Sequence, residues 1–177
     1  IEEYVRSLTN TIDDFRNFFK PDKHQESVVT ITLVNRTLEI IGKALEINGI
    51  HLTIEQHAHR KITTYANELT QVILNILKNA EDVIKERGVY HPQVTITTKE
   101  KDGYQIIEIE DNAGGIAPHI LPHIFEPYFS TKNEKNGTGL GLYMSKIIIE
   151  EHCQGNIYAH NTQEGAKFVI ELKEDIV

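Results

Sequence analysis

Basic residues are scarce relative to acidic ones: 18 Lys plus Arg stand against 26 Asp plus Glu, a net charge of −8, and the isoelectric point lies near 5.6. That deficit argues against a surface that neutralises a phosphate backbone across the whole molecule, so nucleic acid is not an expected partner. Cysteine occurs once, at Cys153, which excludes an intrachain disulfide as a staple for the fold. No apolar run approaches the roughly 18 residues that a membrane-spanning helix needs. Internal repeats and low-complexity tracts are also lacking. A soluble domain of cytosolic type is the expectation. The 177 residues suffice for one sizeable core plus an appendage rather than two full domains. The opening IEEYVRSLTN has neither an initiator Met nor a signal-peptide pattern, so the chain is expected to begin inside a longer protein.

What is present is periodicity. Ile1, Val5, Leu8, Ile12, Phe15 and Phe19 step by 4, 3, 4, 3 and 4, the seam of a coiled coil or helical bundle, and Pro21 should stop that helix. Ile31, Val34, Leu38, Ile41 and Leu45 repeat the pattern ahead of an Asn48-Gly49 stop. A strand-like HLTIEQH follows. Asn67 is the expected N-cap of a long amphipathic helix that runs to about Arg87 and ends at Gly88. Alternation over Gln93–Lys99 and Tyr104–Glu110, around Asp102-Gly103, predicts a hairpin. Five of the eleven glycines lie between Gly114 and Gly141, which marks tight turns or close approaches. A helix over about Thr138–His152 and strands over about Gly155–His160 and Ala166–Leu172 complete the pattern. Strands and helices do not alternate strictly, so the expected class is α+β: a two-layer α/β sandwich, a mixed sheet with helices on one face, preceded by an N-terminal helix.

Three segments carry candidate chemistry. In QVILNILKNAEDVI, Asn75 and Asn79 share one helix face with Gln71 and Asp82. A solvated polar face would look the same; the sharper alternative is a carboxamide oxygen for Mg²⁺, a hard cation. In IEIEDNAGGI a strand ends on Asp111 and opens into Gly114-Gly115. This is either an ordinary Asx turn or a carboxylate that accepts a hydrogen bond from an exocyclic amine such as that of adenine, with Gly115 letting the base approach the backbone. In GTGLGL, residues 137–142, glycines lead into a helix whose N-terminus offers backbone N–H groups to an anion. Neither GxxxxGK[ST] nor a strand-led dinucleotide fingerprint is present. The polar STKNEKN ahead of those glycines suggests a lid, with Lys132 and Lys135 as candidate phosphate contacts. Plain solubility is the alternative, and it is favoured for Lys135.

In their order and spacing, QVILNILKNA, DNAGGI, IFEPYFSTK and GTGLGLYMSKIIIE resemble the N, G1, F and G2 boxes of the ATP-binding domain of sensor histidine kinases, a Bergerat fold, over roughly residues 50–172. The resemblance implies ATP and Mg²⁺ as cofactors, with Asn79 as metal ligand, Asn75 on the phosphate side and Asp111 holding the adenine amine. Gly115 and Ile116 would form the pocket wall. Phe125 and Phe129 would anchor the hinge of a lid spanning about residues 117–136, mobile without nucleotide, and Phe129 would also face the nucleotide. Lys132 would be the lid cation. Gly137, Thr138, Gly139, Leu140, Gly141 and Leu142 would face the phosphates, and Asn75, Asn79 and Lys132 would be the catalytic set. Two departures matter. Ala113 replaces a glycine of the commoner G1 box, a stiffening expected to be tolerated. GAKF, residues 165–168, stands where many relatives carry a Thr that supports the adenine-binding Asp, so that support must come from water or elsewhere.

A reaction and partners are implied as well: transfer of the ATP γ-phosphoryl group to a histidine on a dimerisation helix, then relay to the Asp of a response-regulator receiver. The parent would be a homodimer associated with the inner face of the plasma membrane, with this part in the cytoplasm. None of the nine histidines fits the acceptor box; His24 in KHQES comes nearest and reads as a surface residue. Residues 1–22 would then be the end of a dimerisation helix and 23–177 the ATP-binding catalytic domain. Hydrolytic relatives of the gyrase B and ninety-kilodalton heat-shock type carry a Glu four residues before the metal-binding Asn. Here that position is Asn75, which cannot take a proton at neutral pH, so hydrolysis should be slow. The rivals are a hydrolytic clamp, a non-enzymatic nucleotide-sensing module and a serine kinase of the anti-sigma type. The last usually keeps that Glu and lacks a dimerisation hairpin.

Overall fold

Residues 1–18, 24–131 and 138–175 are described by the computed structural model. The first heptad segment forms α1 (Glu2–Phe18), on which Val5, Leu8 and Ile12 are exposed, as is Ile1 just before it. The Phe15 side chain, Phe19 and the Pro21 stop lie outside the described residues. Then come β1 (Glu26–Val29), α2 (Thr30–Ile47), β2 (His51–Gln56), β3 (Lys61–Thr64) and α3 (Ala66–Arg87). The hairpin β4 (Gln93–Lys101) and β5 (Tyr104–Asp111) follows, then α4 (Gly141–Ile147), β6 (Asn156–Asn161) and β7 (Ala166–Lys173). No described helix is long and apolar enough to cross a membrane.

Five strands form one mixed sheet in the order β2-β4-β5-β7-β6, parallel only between β2 and β4. The period of two along these strands turns Val94, Ile96, Ile107, Ile109, Phe168 and Ile170 to one face. There Leu33, Val34, Ile41 and Leu45 of α2 and Leu69, Val72, Ile73, Ile76 and Leu77 of α3 complete a single core. Alternate positions carry a charged ladder instead: Lys99 pairs with Glu108 at 2.5 Å, and Lys167 bridges Glu108 and Glu110 at 3.4 and 3.5 Å. Burial works against the Glu108 charge, yet the two ammonium groups hold its carboxyl below the ordinary range. The hairpin turn has Asp102 and Gly103 at φ 52° and 80°, the left-handed pair that matches strand twist.

Two local expectations need correction, and two features are new. Asn67 is not the N-cap of α3: the helix starts at Ala66, fully buried, straight out of β3, with Tyr65 at the cap position and no side-chain cap. The last helix starts at Gly141 rather than Thr138, because Gly139 sits at φ 68°, outside the right-handed helical region. Its end, Ile148–His152, widens to a π-type turn closed by Cys153 N–H on the Ile148 carbonyl at 3.0 Å. That turn brings His152 Nδ1 within 2.9 Å of Glu68 on α3. Finally, β1 and β3 form a separate antiparallel pair that the sequence reading lacks, with Ser27 opposite Thr63. The chain end is tied to this pair: Asp175 Oδ2 accepts from Thr63 N–H at 3.0 Å and Thr63 Oγ1 at 2.9 Å, while Glu174 accepts from Arg60 and Gln105.

Candidate functional site

A cavity of about 500 Å³ opens between α3, the loop after β5, the segment around Phe129 and the start of α4. The polar face of α3 supplies Asn75, Asn79 and Asp82, opposite its core-facing stripe. Asn75 is fixed: its Nδ2 donates to Ser145 Oγ at 3.2 Å, and Ser145 Oγ donates to the Gly141 carbonyl at 2.9 Å. A Cβ at Gly141 would lie 2.5 Å from Asn75 Oδ1, so glycine there is what lets α4 dock so closely on α3.

Asp111 ends β5 at the cavity wall. Its Oδ1 accepts Ala113 N–H at 2.9 Å and Ala166 N–H at 3.3 Å, and Oδ2 has no protein donor among the described residues. Backbone amides therefore supply the support that a threonine gives in the family pattern. Burial pushes the carboxyl above its ordinary range, while those two amides and the Arg87 cation pull it back. A Cβ at Gly165 would sit 1.9 Å from the Asp111 carbonyl oxygen, which explains the glycine of GAKF. Ala113 is tolerated in the G1 box because the left-handed residues of the loop are Gly114 and Gly115, at φ 93° and 82°.

Of the expected site residues, Asn75, Asn79, Asp111, Gly115, Ile116, Phe129, Thr138, Gly139, Gly141 and Leu142 line this one cavity. Leu140 does not: its side chain is only 2% exposed, turned inward as its N–H bonds Thr138 Oγ1 at 3.3 Å. Lys132, Lys135 and Gly137 lie outside the described residues. Within the expected lid span, residues 132–137 lie outside the described residues. Ile124 is buried, Phe125 meets Phe168 edge-on at 6.3 Å, and residues 117–126 form successive backbone turns. His24 is exposed, as expected.

Arg87 and Asn161, which hold the loop after β5, carry no motif in the sequence. Arg87 Nη1 donates to the carbonyls of Ala113 at 2.5 Å and Gly115 at 2.8 Å. Asn161 pairs with both backbone groups of Ile116, accepting its N–H at 2.8 Å and donating to its carbonyl at 2.6 Å. Arg87 reads as an ordinary basic residue of a last helical turn and Asn161 as a turn residue. The only available signal was that each stands where a helix or strand ends.

Residues 64–176 match the family of histidine kinase-, DNA gyrase B-, and HSP90-like ATPases. The chain belongs to that family. Among curated relatives, the two-component sensor PprA of Pseudomonas aeruginosa is 36% identical over 142 residues, 76% of this chain and 15% of the relative. The sensor histidine kinase ZraS of Escherichia coli strain K12 is 30% identical over 171 residues, 96% of this chain and 36% of the relative. The chain thus spans well under half the length of these relatives. The solved catalytic domain of histidine kinase ThkA superposes with a TM-score of 0.75 at 22% identity, over 85% of this chain and 96% of that one, a likeness of fold. The chain is a catalytic ATP-binding domain of the histidine kinase type.

Proposed function

We propose that this domain binds ATP with Mg²⁺ and donates the γ-phosphoryl group to a histidine of a dimerisation helix, within a homodimeric sensor kinase that phosphorylates a response-regulator receiver. Residues 1–22 would be the end of that helix and 23–177 the catalytic part, facing the cytoplasm in a membrane-associated parent. The observation that carries the reading is the convergence, in one cavity, of the Asp111 carboxylate, the Asn75/Asn79 face of α3 and the glycines that open α4.

Each group has a task its chemistry suits. Asp111, when ionised, is an acceptor whose Oδ2 has no protein donor among the described residues, as an exocyclic purine amine requires. Among the described residues there is no group of three or more His, Cys, Asp or Glu able to hold a metal alone. A lone carboxamide oxygen suits Mg²⁺, which takes few protein ligands when phosphates and water supply the rest, so Asn79 fits that role. The ion would neutralise charge building on the phosphates. Asn75, already bonded to Ser145, holds α3 and α4 in register and offers no base for water. Lys132 is assigned the lid cation on family resemblance.

Calorimetric titration with a non-hydrolysable ATP analogue, with and without Mg²⁺, tests this. Saturable, Mg²⁺-dependent binding that Asp111→Asn abolishes is expected; absence of binding in every condition would overturn it. Phosphate release without an acceptor histidine should be slow, and rapid release would favour the hydrolytic rival.

A further inference from the structure

The loop 113–116 bounds the base side of the cavity, and its backbone is held from several directions. Ala113 N–H is on Asp111, and Gly114 N–H reaches the Glu164 carbonyl at 3.0 Å. The two remaining contacts come from side chains outside the four boxes. Arg87, in the last turn of α3, bridges the Ala113 and Gly115 carbonyls with one Nη1 at 2.5 and 2.8 Å. Asn161, the last residue of β6, pairs with Ile116 in the manner of a neighbouring strand, and leaves so little room that a Cβ on Gly115 would lie 2.9 Å from its Oδ1.

We propose that Arg87, with Asn161 as the opposing jaw, is a positioning residue of the base pocket: its guanidinium grips the 113–116 loop through two carbonyls and so holds a fixed positive charge on the loop that follows Asp111. The inference rests on the nucleotide reading above. Glycines in a free loop would have to be ordered when the base arrives, and that ordering weakens binding. A loop already bonded at both sides avoids the loss. A guanidinium stays charged throughout the accessible pH range, whereas a purine amine needs Asp111 ionised. Burial opposes the ionised form of Asp111, the Ala113 amide of the loop, the Ala166 amide of β7 and Arg87 of α3 favour it, and Glu110 of its own strand opposes it.

The experiment follows the Asp111 carboxyl and the amides of residues 113–116 by NMR across a pH series, and the affinity for a non-hydrolysable ATP analogue across the same series. Arg87→Gln should raise the Asp111 titration midpoint, speed amide exchange in the loop, and weaken the analogue by about tenfold, the scale of a hydrogen bond to a charged group. Its acid limit of binding should move to higher pH. Arg87→Lys should keep the midpoint near wild type, and Asn161→Ala should speed exchange at Ile116 without moving the midpoint. Unchanged midpoint, exchange and affinity in Arg87→Gln would overturn the proposal. So would a loss of affinity equal at every pH with an unmoved midpoint, the mark of a merely structural residue. Wild-type failure to bind the analogue at any pH would overturn the nucleotide reading instead, and the NMR arms would still decide the clamp.

Discussion

Burial pushes the Asp111 carboxyl above the ordinary range, against the pull of the Ala113 and Ala166 amides and the Arg87 cation. A carboxyl whose pKa rises on folding stabilises the fold fully only below its unfolded value, and that contribution is lost as pH rises through the folded value. Asp111→Asn keeps a carbonyl acceptor for both amides and removes the charge. Calorimetric melting should therefore show the variant more stable than wild type at pH 7 and equal to it below the ordinary carboxylate range, while nucleotide binding is lost; a lower melting temperature at pH 7 would contradict this. Cys153 behaves as an inert thiol, since burial pushes it up to about 11. Only the thiolate reacts, so native-state alkylation by iodoacetamide near pH 8 should be slower than in the unfolded chain by roughly two orders of magnitude or more. The polar residues of the boxes were legible because their types and spacing carry the signal. Arg87 and Asn161, outside the boxes, were not, since their partners lie 28 and 45 residues away and each alone looks like solvation or a turn.

Helix α4 is placed by two glycines with different duties. Gly139 supplies a left-handed turn against the Tyr128 backbone, where a Cβ would lie 2.6 Å from the carbonyl carbon, and Gly141 allows contact with Asn75. Gly139→Ala should cost about 1–3 kcal/mol in chemical denaturation from overpacking and lower nucleotide affinity with it. Gly165→Ala should cost a similar amount and act through Asp111, whose carbonyl oxygen it would crowd. Long, strongly periodic elements could be read from sequence: α2, α3 and the β4–β5 hairpin lie close to where their patterns put them. Boundaries set by tertiary contact could not. Four-residue β1 and β3 are too short to show a period, and their pairing spans the whole of α2. The start of α3 is decided by the burial of Ala66, not by local capping chemistry.

For the molecule as a whole, the order of elements sufficed for the α+β class and the mixed sheet, whereas the tie between Asp175 and the β1–β3 pair had no local signature. Asp175 accepts both hydrogen bonds from Thr63, and Thr63 lies opposite Ser27 in the β1–β3 pair. Removing residues 174–177 should leave the five-stranded sheet intact but raise amide hydrogen exchange at Ile62 and Thr63, read by NMR; unchanged protection there would contradict the tie. Ser27 of β1 and Asp175 behind β7 thus meet on the same residue, Thr63, so the segment from β1 to Asp175 has its two ends side by side. A unit whose ends meet can be spliced into an exposed loop of another protein without stretching either partner. A tag fused behind Asp175 would pull first on the small β1–β3 sheet, through Thr63, rather than on β7, the strand that leads to it.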